Sequence, residues 1–285
     1  MAQVTLRPSS AANTSNGLSP AAVLVRRHDC DRFQTALFAP AADREALFAL
    51  YAFNYEIARV RETVREPILG QIRLQWWREA IDTAYGEMAP RRHEIVEAVT
   101  AAIRSRQLSR THFDRLIDAR EGDLDAEPPA TLAALEDYAE ASSVPLILLA
   151  LELLDAASSA AETVARHVGI SYALSGILRA LPHVAATGGR MPLPGDAVIG
   201  LRDTAALRES VKAIAAAASA HLAAARARRR EVPSRALPAL LPARVAATVL
   251  RRLERAGFDP FAPGVADRDP LQAWRLAAAM LFRRF

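Results

Sequence analysis

Apolar residues recur at three- and four-residue steps through most of the chain, a period that predicts helices nearly everywhere. Over residues 42–64, Leu47, Leu50, Tyr51, Asn54, Ile57 and Ala58 share one stripe and should be buried together. A helix over 21–38 precedes it and is closed by Pro40. A third helix, over 68–85, starts after Pro67 and should end at Gly86. Its Trp76, Trp77 and Tyr85 read as core and rim packing.

The pattern continues with an amphipathic helix over 94–106 and another over 110–121, for which Ser109 is a candidate cap. Thr131 should cap the next helix, which Pro145 would kink. Ser159 and Glu162, three apart, fit a capping box for a helix stopped by Pro182. A Gly- and Pro-rich loop follows over 188–195. Asp203 is placed to cap a helix reaching Glu231, about 40 Å long at 1.5 Å per residue. Proline-spaced apolar residues over 237–242, a helix over 244–255, a turn at 257–260 and a last helix over 271–284, capped by Asp269, complete the pattern. No repeat or linker divides it. The expected architecture is one all-α domain over residues 21–285, behind a disordered N-terminal arm over residues 1–20.

Composition changes this picture little. Of 285 residues, 51% are hydrophobic and 24% charged, which suits a globular domain. The net charge of +4 is mild and no aromatic–basic motif appears, so no nucleic-acid partner is expected. All the basic side chains except Lys212 are arginine. That fits a GC-rich genome, or recognition of anionic lipid or phosphate by the planar guanidinium fork. Cys30 is the only cysteine, which points to a reducing compartment. Residues 1–20 lack the apolar core of a secretory signal. The longest apolar run, over 144–151, is far below the roughly 20 residues of a membrane span.

Three features are candidates for chemistry. Asp114, Asp118, Glu121 and Asp125, with Asp123 nearby, fall on one helical face. Such carboxylates hold Mg²⁺ beside a phosphate, or form a solvated face paired with Arg115 and Arg120. The six histidines show no zinc spacing. Arg226, Arg228, Arg229 and Arg230 sit at a helix C-terminus, where they complement the helix dipole or make a basic docking patch. No nucleophile elbow, Walker loop or dinucleotide loop is present.

The segments LFALYAFNYEI, LQWWREAIDTAYG, LIDAREGDLD and GILRALPH, in this order, resemble the squalene/phytoene synthase family over about residues 23–285. The resemblance implies an all-α isoprenoid-synthase fold around a central cavity. Active members use two aspartate-rich DxxxD elements to bind Mg²⁺, which helps expel diphosphate. The first element falls on residues 58–62, where Ala58 and Arg59 replace acids and Glu62 is the one acid kept. The second follows Gly176-Ile177-Leu178-Arg179, and its acids become Ala180 and Val184. A serine-rich diphosphate-contact segment reads Cys30-Asp31-Arg32-Phe33. Asp118 and Asp123 match the family's acidic segment. Tyr51 and Trp77 are expected cavity-wall residues, and Arg59, Arg61 and Arg179 candidate phosphate contacts.

Loss of both metal elements implies no catalytic residue, no metal ligand and no cofactor. Asn54 to Val60, Gln75-Trp76-Trp77-Arg78, Tyr138-Ala139-Glu140 and Phe258-Asp259-Pro260-Phe261 resemble the family's complex I assembly factor 6-type branch. That branch implies help in assembling respiratory NADH dehydrogenase, with complex I subunits or assembly intermediates as partners and a prenyl lipid as a further ligand. Without a mitochondrial presequence, the expected location is the bacterial cytoplasm, peripherally at the inner membrane. The alternative is a Mg²⁺-dependent head-to-head prenyl-diphosphate synthase, using Glu62, Asp118 and Asp123.

Overall fold

The computed structural model describes residues 17–64, 66–124, 129–187, 193 and 205–285. The proposed N-terminal arm through residue 16, Asp125, the loop at 188–192 and 194–195 and the Asp203 cap lie outside the described residues. No strand occurs among them. Thirteen α-helices do: α1 (Pro20–His28), α2 (Cys30–Ala36), α3 (Ala41–Ala58), α4 (Val60–Thr63), α5 (Pro67–Tyr85), α6 (Glu94–Arg106), α7 (Arg110–Glu121), α8 (Leu132–Leu153), α9 (Ser159–Ala186), α10 (Ala205–Ala227), α11 (Leu237–Leu240), α12 (Pro242–Arg255) and α13 (Gln272–Leu281).

Helix α3 is buried beyond its predicted stripe. Phe48, Ala49, Ala52 and Phe53 are as enclosed as Leu47, Leu50, Tyr51 and Ile57. It packs against α1, α6, α7 and α8, which explains an apolar surface nearly all round. Ala58, expected on the stripe, is only half-buried, because the helix ends there and Arg59 turns the chain into α4. Trp77 on α5 is in the core and meets Phe53 edge-on at 5.5 Å.

Helix α9 is the second axis and packs on α8, α10 and α12. At its crossing with α8, a Cβ on Gly169 would lie 2.7 Å from Val144 Cγ2 and 3.1 Å from Val144 Cα. Only glycine permits that approach. Pro145, expected to kink its helix, and Pro182, expected to stop one, both sit inside continuous helices. Pro145 lies in the buried half of α8, and α9 runs through Pro182 to Ala186. Packing of these faces outweighs the missing N–H donors.

Several predicted ends move for identifiable reasons. The helix over 21–38 divides at Asp29, whose carboxylate accepts the Arg32 N–H at 3.0 Å and starts α2. Helix α5 does end at Gly86 as expected, in an extended rather than left-handed conformation, and Arg104 donates to the carbonyls of Ala84, Gly86 and Met88 there. The cap of α9 is Ser158, not Ser159, accepting from Ala161 N–H at 3.2 Å. Thr131 caps α8 at 3.1 Å. Ser109 stands at the start of α7, but its hydroxyl goes to Glu152 at 2.5 Å. Helix α10 stops at Ala227, and a 3₁₀ turn covers Arg229–Glu231. The proline-spaced connector is helical, forming α11 and the start of α12.

Candidate functional site

The ends of α3 and α9 and the start of α2 define the place where the resemblance puts metal and diphosphate. Arginine–carboxylate pairs fill it. Asp31 reaches across from α2 and accepts from Arg179 Nη2 on α9 at 2.7 Å. Its other oxygen accepts from Gln272 Nε2 on α13 at 2.9 Å. One carboxylate thus ties three helices, with partners 148 and 241 residues away in sequence.

Beside it, Arg32 donates to Asp29 Oδ2 at 2.7 Å. Its guanidinium lies 4.8 Å from the centre of the Tyr172 ring and 5.9 Å from that of Tyr51. Burial works against its charge, but Asp29 and the two phenols outweigh that and raise its pKa. Burial pushes the Tyr51 hydroxyl up to about 12, with Arg32 opposing. Burial raises Tyr172 as well. Arg179 follows Arg32: burial lowers its pKa, and Asp31 more than restores it. These groups are held charged or neutral well away from physiological pH, so they do not exchange protons there.

A second pair adjoins the first. Arg120 donates to Asp123 Oδ2 at 3.1 Å and to the Tyr138 hydroxyl at 2.9 Å. Burial lifts Tyr138 to about 12. Asp123 is therefore a half-buried partner of Arg120, separate from the acidic face of α7. On that face Asp118 and Glu121 both accept from Arg78 Nη2 at 2.7 Å, and Asp114 accepts from Arg110 at 3.3 Å. Of the expected partners, Arg120 pairs with the nearby Asp123, while Arg78 of α5 and Arg110 serve the face itself.

The remaining sequence candidates separate. Glu62 and Arg61 are exposed on α4. Arg59 turns to Glu56 at 3.3 Å and over the Tyr55 ring at 5.6 Å. Tyr51 borders the Arg32 pair, whereas Trp77 is core packing. Of the four basic residues, Arg228 closes on Glu231 at 2.9 Å and Arg230 is exposed. Arg226 and Arg229 line a separate cleft between α10 and α12.

The donors do not fit magnesium. Ala58, Ala180 and Val184 carry no side-chain oxygen, and the acids that do reach the place, Asp29 and Asp31, are each paired with an arginine. No group of three or more His, Cys, Asp or Glu side chains suited to a metal occurs among the described residues. Sequence reasoning missed Asp29, Asp31, Tyr172 and Gln272 as parts of this cluster. The change of the segment at 30–33 was the only local signal.

The sequence profile of squalene/phytoene synthase matches residues 25–277. The chain belongs to the squalene/phytoene synthase family. A relative from Bos taurus, NADH dehydrogenase (ubiquinone) complex I assembly factor 6, is 30% identical over 269 residues, covering 88% of this chain and 80% of that protein. The squalene synthase HpnC of Alicyclobacillus acidocaldarius superposes with a TM-score of 0.74 at 21% identity, over 85% of this chain and 94% of its own. A dehydrosqualene synthase superposes with a TM-score of 0.76 at 14% identity, over 92% and 94%. These structures show the all-α isoprenoid-synthase fold expected from the family's motifs.

Proposed function

We propose that this member of the squalene/phytoene synthase family assists assembly of respiratory complex I and does not catalyse prenyl transfer. The observation that carries the reading is the internal Asp31–Arg179–Gln272 cluster, standing where the family's second metal element would be served. An arginine already neutralised by a carboxylate offers little to a diphosphate, and magnesium lacks its oxygens. The similarity to assembly factor 6 supplies the partner class: complex I subunits or assembly intermediates.

The proposed location is the bacterial cytoplasm, peripherally at the inner membrane. No helix among the described residues is long and apolar enough to cross a membrane. Helix α13 and its flanks, however, expose Leu271, Trp274, Leu281 and Phe282, with Trp274 at 76%. Arg283 and Arg284 follow directly. An apolar face with a tryptophan and flanking arginines suits an interfacial position on anionic lipid. A prenyl lipid is the proposed further ligand.

Deletion of the gene should lower NADH:quinone oxidoreductase activity and the amount of assembled complex on a native gel. Normal assembled complex in the deletion strain overturns the assembly role. Magnesium-dependent turnover of farnesyl diphosphate by the purified chain, abolished by chelator, overturns the non-catalytic reading.

A further inference from the structure

A cleft of about 990 Å³ lies between α10 and α12, away from the Asp31–Arg179 cluster. Lys212, Arg226 and Arg229 line one side, and Arg244, Arg251 and Arg284 the other. Glu254 is the single acidic side chain among the lining residues, and Phe285, the last residue of the structure, adds its terminal carboxylate. The floor is apolar, built from Leu222, Leu250, Phe258 and Phe285.

The compensation of these cations differs from that elsewhere in the fold. Arg32, Arg120 and Arg179 each have a carboxylate partner and a raised pKa. Arg226 and Arg244 are pushed down, first by burial and then by neighbouring arginines: Arg244, Arg251 and Arg229 act on Arg226, and Arg251 and Arg275 on Arg244. Arg226 Nε donates to the terminal carboxylate of Phe285 at 3.0 Å, whereas Arg251 folds back on the Ala247 carbonyl at 3.1 Å. Arg244 Nε is buried with no hydrogen-bond partner. Like charges held together with an orphaned buried donor are costly unless an anion completes them.

We propose that this cleft is a binding site for a phosphate-bearing anion, gripped by Arg226, Arg244 and Arg251 above the apolar floor. Guanidinium forks match phosphate oxygens in pairs, and several arginines at one place favour a phosphate ester over a lone carboxylate. The volume far exceeds a bare phosphate and lies near the upper end of ligand pockets, roughly 300–1,000 Å³. The floor therefore takes an apolar portion of the same molecule. A soluble phosphate or diphosphate ester and the headgroup of an anionic lipid share this chemistry. The inference does not depend on the assembly role.

The full chain is titrated with inorganic pyrophosphate by calorimetry, and sedimented with vesicles of phosphatidylglycerol or of phosphatidylcholine. Saturable pyrophosphate binding identifies a soluble ester. Binding to phosphatidylglycerol alone identifies a headgroup. In either arm the double variant Arg226→Gln, Arg244→Gln should weaken binding tenfold or more. Glu254→Gln should tighten it severalfold. In the double variant, relief of mutual repulsion offsets the lost Arg226–Phe285 bond, so its melting temperature should stay near the parent's, which separates lost binding from lost folding. Failure of both probes to bind, or binding unchanged in the double variant and in Glu254→Gln, overturns the proposal.

Discussion

The Asp31–Arg179 pair gives the sharpest test of what ties α2, α9 and α13 together. Asp31→Asn keeps the shape but removes the charge, and presents one amide to two donors, Arg179 Nη2 and Gln272 Nε2. The side chains are 13% and 29% exposed, so the pair lies between two regimes. Surface pairs contribute about 0.2–1 kcal/mol, and breaking a fully buried pair costs about 3–5. A hydrogen bond to a charged group contributes about 1.5–3 kcal/mol, so an intermediate loss of about 2 kcal/mol follows for Asp31→Asn. In a protein of this size that corresponds to a fall of roughly 3–4 °C in Tm. Urea unfolding of the parent, Asp31→Asn, Arg179→Met and the double variant closes a double-mutant cycle. The coupling should reach at least about 1 kcal/mol, since each single variant strands its partner. A coupling below about 0.5 kcal/mol, within ordinary additivity, would show that the two side chains do not hold these helices together.

Two further outcomes follow from other parts of the fold. Gly169→Ala drives a methyl into Val144 at the α8–α9 crossing; overpacking of about 1–3 kcal/mol exceeds the roughly 1 kcal/mol gained in helix propensity, so thermal melts should show net destabilisation, and a more stable variant would refute the close approach. His167 stands 2.9 Å from His221 between their Nδ1 atoms, and its pKa is lowered by burial, then by His221 and Arg166. The folded state therefore resists protonation that the unfolded chain accepts at about pH 6.5, so this stabilisation is present above that pH and is lost as pH falls below it. The drop in Tm from pH 7.5 to 5.5 should shrink in His167→Asn, although His28, lowered by burial and by Arg27 and Arg59, keeps part of it; an unchanged drop would count against the histidine pair.

Much of the fold was legible along the chain because helix formation is written in local spacing. The helices over 94–106 and 110–121 stand where the pattern put them, and the buried stripe of α3 was readable from Leu47 to Ile57. Boundaries were less legible. Asp29 splitting α1 from α2, and Pro182 staying inside α9, depend on packing that a local breaker signal does not report. Of the site, the absence of side-chain oxygens at Ala58, Ala180 and Val184 was visible, because alanine and valine cannot bind a metal in any fold. Their replacement was not visible. Asp31, Arg179 and Gln272 come from three distant segments, and nothing in local periodicity pairs them.

By itself, then, the sequence determined that the chain is helical, that it belongs to the squalene/phytoene synthase family, and that alanine and valine stand at positions 58, 180 and 184. Those are properties of residue identity and spacing. Tertiary structure alone decided which charges meet. It sent Asp123 to Arg120, gave the acidic face of α7 to Arg78, and closed Asp31 on Arg179. It also separated the basic run at the end of α10, turning Arg228 to Glu231 and leaving Arg226 beside Arg244 and Arg251. The physical reason is that an ion pair depends on distance in space, and only the packing of α2, α9, α10, α12 and α13 sets those distances.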